Sequence, residues 1–254
     1  MYIKNVLFVG DLHGLTKWDK PVYSALRDFS HIVFLGDYVD SFFLQPYEII
    51  ENLKEIINLK VKYPEKINLL LGNHDYAYMF GFTSISGFKR NAFENYRKIF
   101  SDNWDLFDIA WGYKGERCTH GYTKPRYTLA THAGLTQHFW NNRIIPEIEK
   151  KGTVMNKLIG NNWKDLSIHK VLNYFKDQST IMWEVGSMRG GYNSTGGVLW
   201  SDKHELFQDN YEGIDQIIGH TPSAYIEIKQ KEKDTIYIID CYRNESVFSL
   251  HLEL

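Results

Sequence analysis

Cysteine is scarce. Cys118 and Cys241 are the only two in 254 residues, and neither sits in a Cys-x-x-Cys pair. That spacing argues against a zinc knuckle or a dithiol redox motif and predicts two free thiols in a reducing compartment. Net charge is nearly absent too, at −2. A chain without a broad basic face is not expected to form a stable nucleic-acid complex. No run approaches the ~20 consecutive apolar residues that cross a bilayer. The first residues lead straight into a strand-like run, without a charged leader, apolar segment and cleavage site. A cytoplasmic protein without membrane contact is expected. Internal repeats and linkers are missing as well, so residues 1–254 are expected to form a single domain, a length α/β folds reach undivided.

Glycine, by contrast, is spent in one recurring place. The apolar run Val6–Val9 ends in Gly10 and is followed by Asp11-Leu12-His13-Gly14. Ile32–Leu35 ends in Gly36 and is followed by Asp37-Tyr38-Val39-Asp40. Ile67–Leu71 ends in Gly72 before Asn73-His74-Asp75, and Ile217-Ile218 ends in Gly219 before His220-Thr221. A fifth run, Tyr127–Thr131, delivers His132 ahead of Ala133-Gly134. Each piece alone is an ordinary polar turn after a strand. Together they place a potential metal ligand at five strand ends. Glycine there lets the backbone turn sharply or come close to a ligand without a Cβ clash. Strands side by side would bring all five tips to one edge of a sheet, where open α/β folds place their ligands.

The coarse order of elements supports that reading. Strands at 5–9, 31–35 and 67–71 alternate with a helix from Pro21 to about Phe29 and an amphipathic helix opened by Pro46. In the second helix Ile49, Ile50, Leu53, Ile56, Ile57 and Val61 recur at helical spacing, and Tyr63-Pro64 ends it. This β-α-β-α-β run predicts a parallel sheet. Beyond His74 the pattern loosens into a loop punctuated by Gly81, Ser84, Ser86 and Gly87. A helix near 90–100, strands at 107–113 and 127–131, and helical pieces over 136–177 broken at Gly152 and Gly160-Asn161-Asn162 follow. The small-residue stretch 186–197 reads as a functional or disordered loop. Strands at 225–229, 235–240 and 247–254 are expected to form an antiparallel second sheet.

The five tips suggest a chemistry. Residues i and i+2 of an extended segment share a side, so Asp11 and His13 can hold one ion. Asp37 can bridge it to a second ion, completed by Asn73, His132 and His220. Carboxylate and imidazole without thiolate suit Mn²⁺, Fe or Zn²⁺ better than Ca²⁺ or Mg²⁺. Two such ions hold a phosphoryl group and acidify a bridging water, whose hydroxide attacks phosphorus. His74, beside Asn73 but not a ligand, can protonate the leaving oxygen, with Asp40 fixing its tautomer. Of the other histidines, His120 is the one expected near the site mouth.

These motifs, taken as a set, resemble the calcineurin-like metallophosphoesterases, and most closely their phosphoprotein phosphatase branch, including the phage-type serine/threonine phosphatases. The resemblance runs nearly end to end. It implies a four-layer α-β-β-α sandwich of two mixed β-sheets flanked by helices, and a dinuclear, often Mn²⁺-activated centre. Asp11, His13 and Asp37 would hold one ion, and Asp37, Asn73, His132 and His220 the other. Pro222, where other branches carry a further histidine, favours the phosphatase branch. The implied activity is phosphomonoester hydrolysis on a phosphoprotein or a small phosphoester.

Two positions depart from that pattern. Ser41 stands where the branch has a phosphate-clamping Arg, and Asp75 stands where it has Glu. A serine replaces neither the charge nor the fork of an Arg, so Arg189 is the expected substrate-binding substitute, with Leu199-Trp200-Ser201-Asp202 nearby. Loss of the clamp leaves open a phosphodiesterase or dinucleoside-polyphosphate hydrolase. The aromatics of 76–88 (Tyr76, Tyr78, Phe80, Phe82, Phe88) would then be available to stack on a base. A catalytically inactive binding module on the same fold is the alternative outside enzymes.

Overall fold

The computed structural model describes residues 5–28, 31–119, 122–151, 167–231, 234–241 and 249–253. Its first elements are β1 (Asn5–Val9), β2 (His31–Phe34) and β3 (Ile67–Leu70), which pair in parallel, followed by β4 (Phe107–Asp108) parallel to β3. The crossovers are α1 (Asp19–Arg27) and α2 (Pro46–Lys62). Helix α2 starts where its sequence says it should. Pro46 takes the first position, Gln45 and Glu48 form a capping box, and Ile49, Leu53, Ile56 and Ile57 are its buried stripe.

A second sheet contains β5 (Ala110–Thr119), β6 (Tyr122–Thr131), β7 (Ile214–Ile218), β8 (Glu227–Lys231) and β9 (Asp234–Ile238), in the order β5-β6-β7-β9-β8. The last strand, β10 (Ser249–Glu253), returns to the first sheet, whose order is β10-β1-β2-β3-β4. Both sheets are mixed. Val6, Phe8, Val33 and Leu70 of the first pack in one cluster with Trp111, Ala130 and Ile217 of the second. The alternate residues Leu7, Val9, Ile32 and Phe34 pack instead with Val22 of α1 and Ile49 and Leu53 of α2. On the far side, Ile218, Ile236 and Ile238 pack with Leu206 of the helix Lys203–Asp209. This is a four-layer α-β-β-α sandwich. Strands buried on both faces read as unbroken apolar runs, which is why the sequence marked them so clearly.

Several local expectations need correction. Asn73 opens a helix, α3 (Asn73–Phe80), rather than a loop, and every side chain from Asn73 to Tyr78 is buried. A helix buried all round has no polar stripe to betray its period. Pro21 sits third in α1, not first. The strand expected at 107–113 is two, split at Ile109 where the chain passes between sheets. β10 pairs with β1, not with β9, so the three C-terminal strands do not form one antiparallel unit. Segment 186–197 is a compact turn, with Ser187–Arg189 in one 3-10 turn and Gly196 N–H bound to Glu205. The five tips come from the abutting ends of both sheets, not from one edge. Helix α1 ends at Arg27, short of the expected Phe29; the breaks at Gly152 and Gly160-Asn161-Asn162, and His120, lie outside the described residues.

Candidate metal centre

Loops leaving β1, β2, β6 and β7, with the first turn of α3, bring Asp11, His13, Asp37, Asp40, Asn73, His74, His132 and His220 together. The backbone is bent hard to do so. Among the described residues, the non-glycine positions with positive φ are His13 (46°), Asp37 (51°), Asp40 (67°) and His220 (63°). All four belong to the predicted set. Such conformations carry a cost of order 1–3 kcal/mol each and persist only where the surroundings enforce them. Here the enforcement is visible. The N–H groups of Leu12 and His13 both donate to the Asp37 carbonyl (3.1 and 2.7 Å), and Gly14 N–H donates to the Tyr38 carbonyl (2.9 Å). Asp75 accepts from the N–H groups of Asp37 (2.7 Å), Tyr38 (2.9 Å) and Gly72 (2.9 Å), clamping the second loop to the third.

Two strand-end glycines are needed for close approach. A Cβ on Gly72 would collide with Asp37 Oδ1, and one on Gly219 would collide with Asp11 Oδ1. The carboxylates occupy the space those side chains would fill. Asp37 Oδ1 accepts from His74 N–H (3.0 Å), and both Asp11 oxygens accept from His220 N–H (3.1 Å each).

The imidazoles are oriented by backbone carbonyls. His13 Nδ1 donates to the Val39 carbonyl (3.0 Å) and His132 Nδ1 to the Leu35 carbonyl (2.9 Å), so each turns Nε2 inward. His132 Nε2 lies 2.9 Å from Asn73 Oδ1 and 3.2 Å from His220 Nδ1, which is itself 3.0 Å from Asn73 Oδ1. Asp37 Oδ2 stands between the two groups of ligands, 3.8 Å from His13 Nε2 and 3.5 Å from His132 Nε2. Asp11, Asp37 and His132 offer ligand atoms all within 4.8 Å of one another.

This arrangement fits divalent cations. The Asn73 oxygen and the His132 and His220 nitrogens lie 2.9–3.2 Å apart, close enough to serve one ion together. Burial holds the imidazoles of His13, His132 and His220 neutral, the form that binds metal. The Asp11 carboxyl is pushed well up by burial and then by Asp240 and Asp37, a crowding of negative charge that a bound cation reverses. Burial also pushes Asp37 up, but in acid, where His132, His74 and His13 take up protons, their charge outweighs it and brings the carboxyl below its ordinary value.

His74 is built differently. Its Nδ1 pairs with Asp40 Oδ2 at 2.9 Å, and its Nε2 faces the centre, 4.0 Å from Asp37 Oδ2. Burial lowers its pKa, but Asp37 and Asp40 overcome that and raise it to about 9, so the ring is an imidazolium at neutral pH. The other Asp40 oxygen accepts a short hydrogen bond from the Tyr78 hydroxyl, which in turn accepts from Lys89 N–H (2.8 Å).

Arg189 lies on the opposite flank. It donates to Thr221 Oγ1 (2.5 Å), pairs with Asp202 through Nε (2.9 Å), and its charge helps push His220 and His132 down. Trp200 stands edge-on to His220, 5.6 Å between ring centroids. Ser41 does not face outward as a clamp; its Oγ accepts from the N–H groups of Phe43 (3.2 Å) and Leu44 (3.1 Å). The aromatics of 76–88 do not form a base platform. Tyr76 and Tyr78 are buried, and Phe80, Phe82 and Phe88 pack on the core beside them. Two neighbours of the centre were missed in sequence. Tyr78 is grouped in sequence with the aromatics available to stack on a base, not with Asp40. Asp240 follows the apolar run Ile236–Ile239 but has no glycine before it, so the strand-end pattern passed it over.

The sequence matches the calcineurin-like phosphoesterase family over residues 4–244. A protein phosphatase 2A catalytic subunit of Dictyostelium discoideum is 30% identical over 134 residues, 47% of this chain and 39% of that protein. A Schizosaccharomyces pombe protein carrying a serine/threonine-protein phosphatase name is 30% identical over 128 residues, with the same shares. The chain thus spans 39% of the length of these curated relatives. Among solved structures, a cold-active protein-tyrosine phosphatase of a psychrophilic Shewanella species superposes with TM-score 0.51 at 16% identity, over 99% of this chain and 76% of that one. A second structure of a cold-active protein tyrosine phosphatase gives 0.53 at 15% identity, over 99% and 74%. At such identity the likeness is one of fold.

Proposed function

The chain belongs to the calcineurin-like phosphoesterases, and on that premise we propose that it is a dinuclear metal-dependent phosphomonoesterase of the protein-phosphatase type. Asp11, His13 and Asp37 would hold one divalent cation. Asp37, Asn73, His132 and His220 would hold the other. Mn²⁺ is the first choice for the hard carboxylate, amide and imidazole donors, with Fe and Zn²⁺ also compatible. The observation that carries this reading is the position of Asp37 Oδ2 between the inward nitrogens of His13 and His132. One carboxylate oxygen placed there serves two ligand sets.

Bound in this cradle, the cations supply charge neutralisation for the phosphoryl oxygens and an acidified water as nucleophile. The chain supplies the rest. His74 gives its Nε2 proton to the leaving oxygen as the ester P–O bond breaks. Asp40 holds the Nδ1 side and keeps Nε2 aimed at the substrate. Arg189, anchored by Asp202 and Thr221, would meet a phosphoryl oxygen from the His220 side. Phosphorylated residues of proteins, or small phosphoesters, are the substrates.

The test is turnover of p-nitrophenyl phosphate and bis-p-nitrophenyl phosphate with Mn²⁺, before and after chelation. Monoester hydrolysis that disappears on chelation and returns with Mn²⁺ is expected. Preference for the diester would instead make this a phosphodiesterase, and no turnover of either would leave a binding module.

A further inference from the structure

Beside the centre, on its His13 and Asp40 side, lies a cavity of about 520 Å³ whose outer wall is made by Leu15, Phe42 and Phe43, with Lys17 reaching the same space. We propose that this cavity receives the leaving group and selects phosphomonoesters of phenols over those of small alcohols. The inference rests on the assignment of His74 as proton donor and narrows the substrate of that same site.

The side of the centre on which the cavity opens identifies its occupant. His13 and Asp40 line it, and both flank His74: the His13 and His74 rings are 5.2 Å apart, and Asp40 pairs with His74 Nδ1. The donor's proton goes to the ester oxygen, so the group carried by that oxygen is the one brought to the His13 edge of the cavity. The Arg189 flank, beside His220 and Thr221, is left for the non-bridging phosphoryl oxygens.

The lining describes what that group is. Phe42 and Phe43 are 63% and 89% exposed. Their outward presentation is built in, because Ser41 Oγ ties the N–H groups of Phe43 and Leu44 into a turn. Apolar rings held in water at the mouth of a polar centre are covered when an apolar partner enters. The volume lies within the range of small-molecule pockets, roughly 300–1,000 Å³. The methyl group of a small alkyl ester is too small to cover both rings, whereas a phenyl ring offers the offset or edge contact that aromatic pairs favour.

Non-hydrolysable analogues test this without interference from the intrinsic reactivity of aryl esters. Phenylphosphonate and methylphosphonate are compared as competitive inhibitors of the Mn²⁺-loaded enzyme, for wild type and for Phe42→Ala/Phe43→Ala. In wild type, phenylphosphonate is expected to bind about tenfold tighter, and the double variant to bring the two within about twofold of each other. Both rings are exposed, and an unchanged melting temperature confirms that the variant is folded. Equal inhibition by the two phosphonates in a wild-type enzyme that hydrolyses monoesters overturns the proposal while leaving the metal centre standing. So does a tenfold preference that survives in the double variant. An enzyme that hydrolyses no monoester removes the assignment beneath it, and the proposal with it.

Discussion

Replacing Asp75 with Asn changes one atom pair and tests how the centre is held. Asp75 is fully buried in the first turn of α3. One of its oxygens accepts from Asp37 and Gly72 N–H, the other from Tyr38 N–H. The best orientation of an amide keeps its oxygen toward Asp37 and Gly72. The NH₂ group then faces Tyr38 N–H, donor against donor. A hydrogen bond to a charged group contributes about 1.5–3 kcal/mol, and the two that remain fall toward the neutral value of ~1 kcal/mol each. The expected loss is therefore roughly 2.5–7 kcal/mol out of a total stability of order 5–15 kcal/mol. Urea unfolding of the metal-free protein is the assay, since bound metal would mask the loss by mass action. With m near 2–3 kcal/mol/M, the midpoint should fall by about 1–3 M. Metal affinity should fall as well, because Asp37 N–H is what Asp75 holds while Asp37 stays left-handed. A variant whose midpoint moves by less than about 0.3 M and which binds Mn²⁺ as wild type does would show that this clamp does not position Asp37.

His74→Asn removes the proposed proton donor but no ligand. Turnover of alkyl monoesters should fall about 10²–10⁴-fold, p-nitrophenyl phosphate should suffer far less because its leaving group needs little protonation, and metal content should hold. A uniform loss across leaving groups, or loss of metal, would count against the assignment. Far from the centre, the Tyr127 hydroxyl donates to His169 Nδ1 (2.6 Å) while accepting from His169 N–H (3.3 Å). Burial, and then Lys170, lowers the His169 pKa from 6.5 to about 4. Between those values the unfolded chain binds more protons, so the contribution of His169 to stability is complete above pH 6.5 and is lost as pH falls toward about 4. The stability difference between wild type and His169→Gln should shrink over that window in denaturant titrations, and a difference independent of pH would refute the half-buried neutral imidazole.

What the sequence revealed follows from which features have a one-dimensional trace. Strands buried on both faces appear as apolar runs. Helix α2 appears through its stripe and its Pro46 start, and a strand-end glycine marks where a carboxylate must come close. Gly72 and Gly219 are the clearest cases, since each leaves room for an oxygen of Asp37 or Asp11. These local signs were enough to gather residues as far apart as Asp11 and His220. Features that depend on three-dimensional neighbours left no such mark. α3 is buried all round and has no period to read. β10 could have paired with either sheet by its pattern alone, and contact with β1 decided it. Tyr78 and Asp240 owe their places beside the centre to Asp40 and Asp11, partners more than thirty and two hundred positions away. The four left-handed residues join the two classes. Nothing in His13, Asp37, Asp40 or His220 announces a positive φ, yet the strain falls where the strand-end pattern had placed the chemistry. A fold that holds costly conformations at these residues, through Asp75 and the Asp37 and Tyr38 carbonyls, has its stability and its proposed catalysis tied to the same few hydrogen bonds.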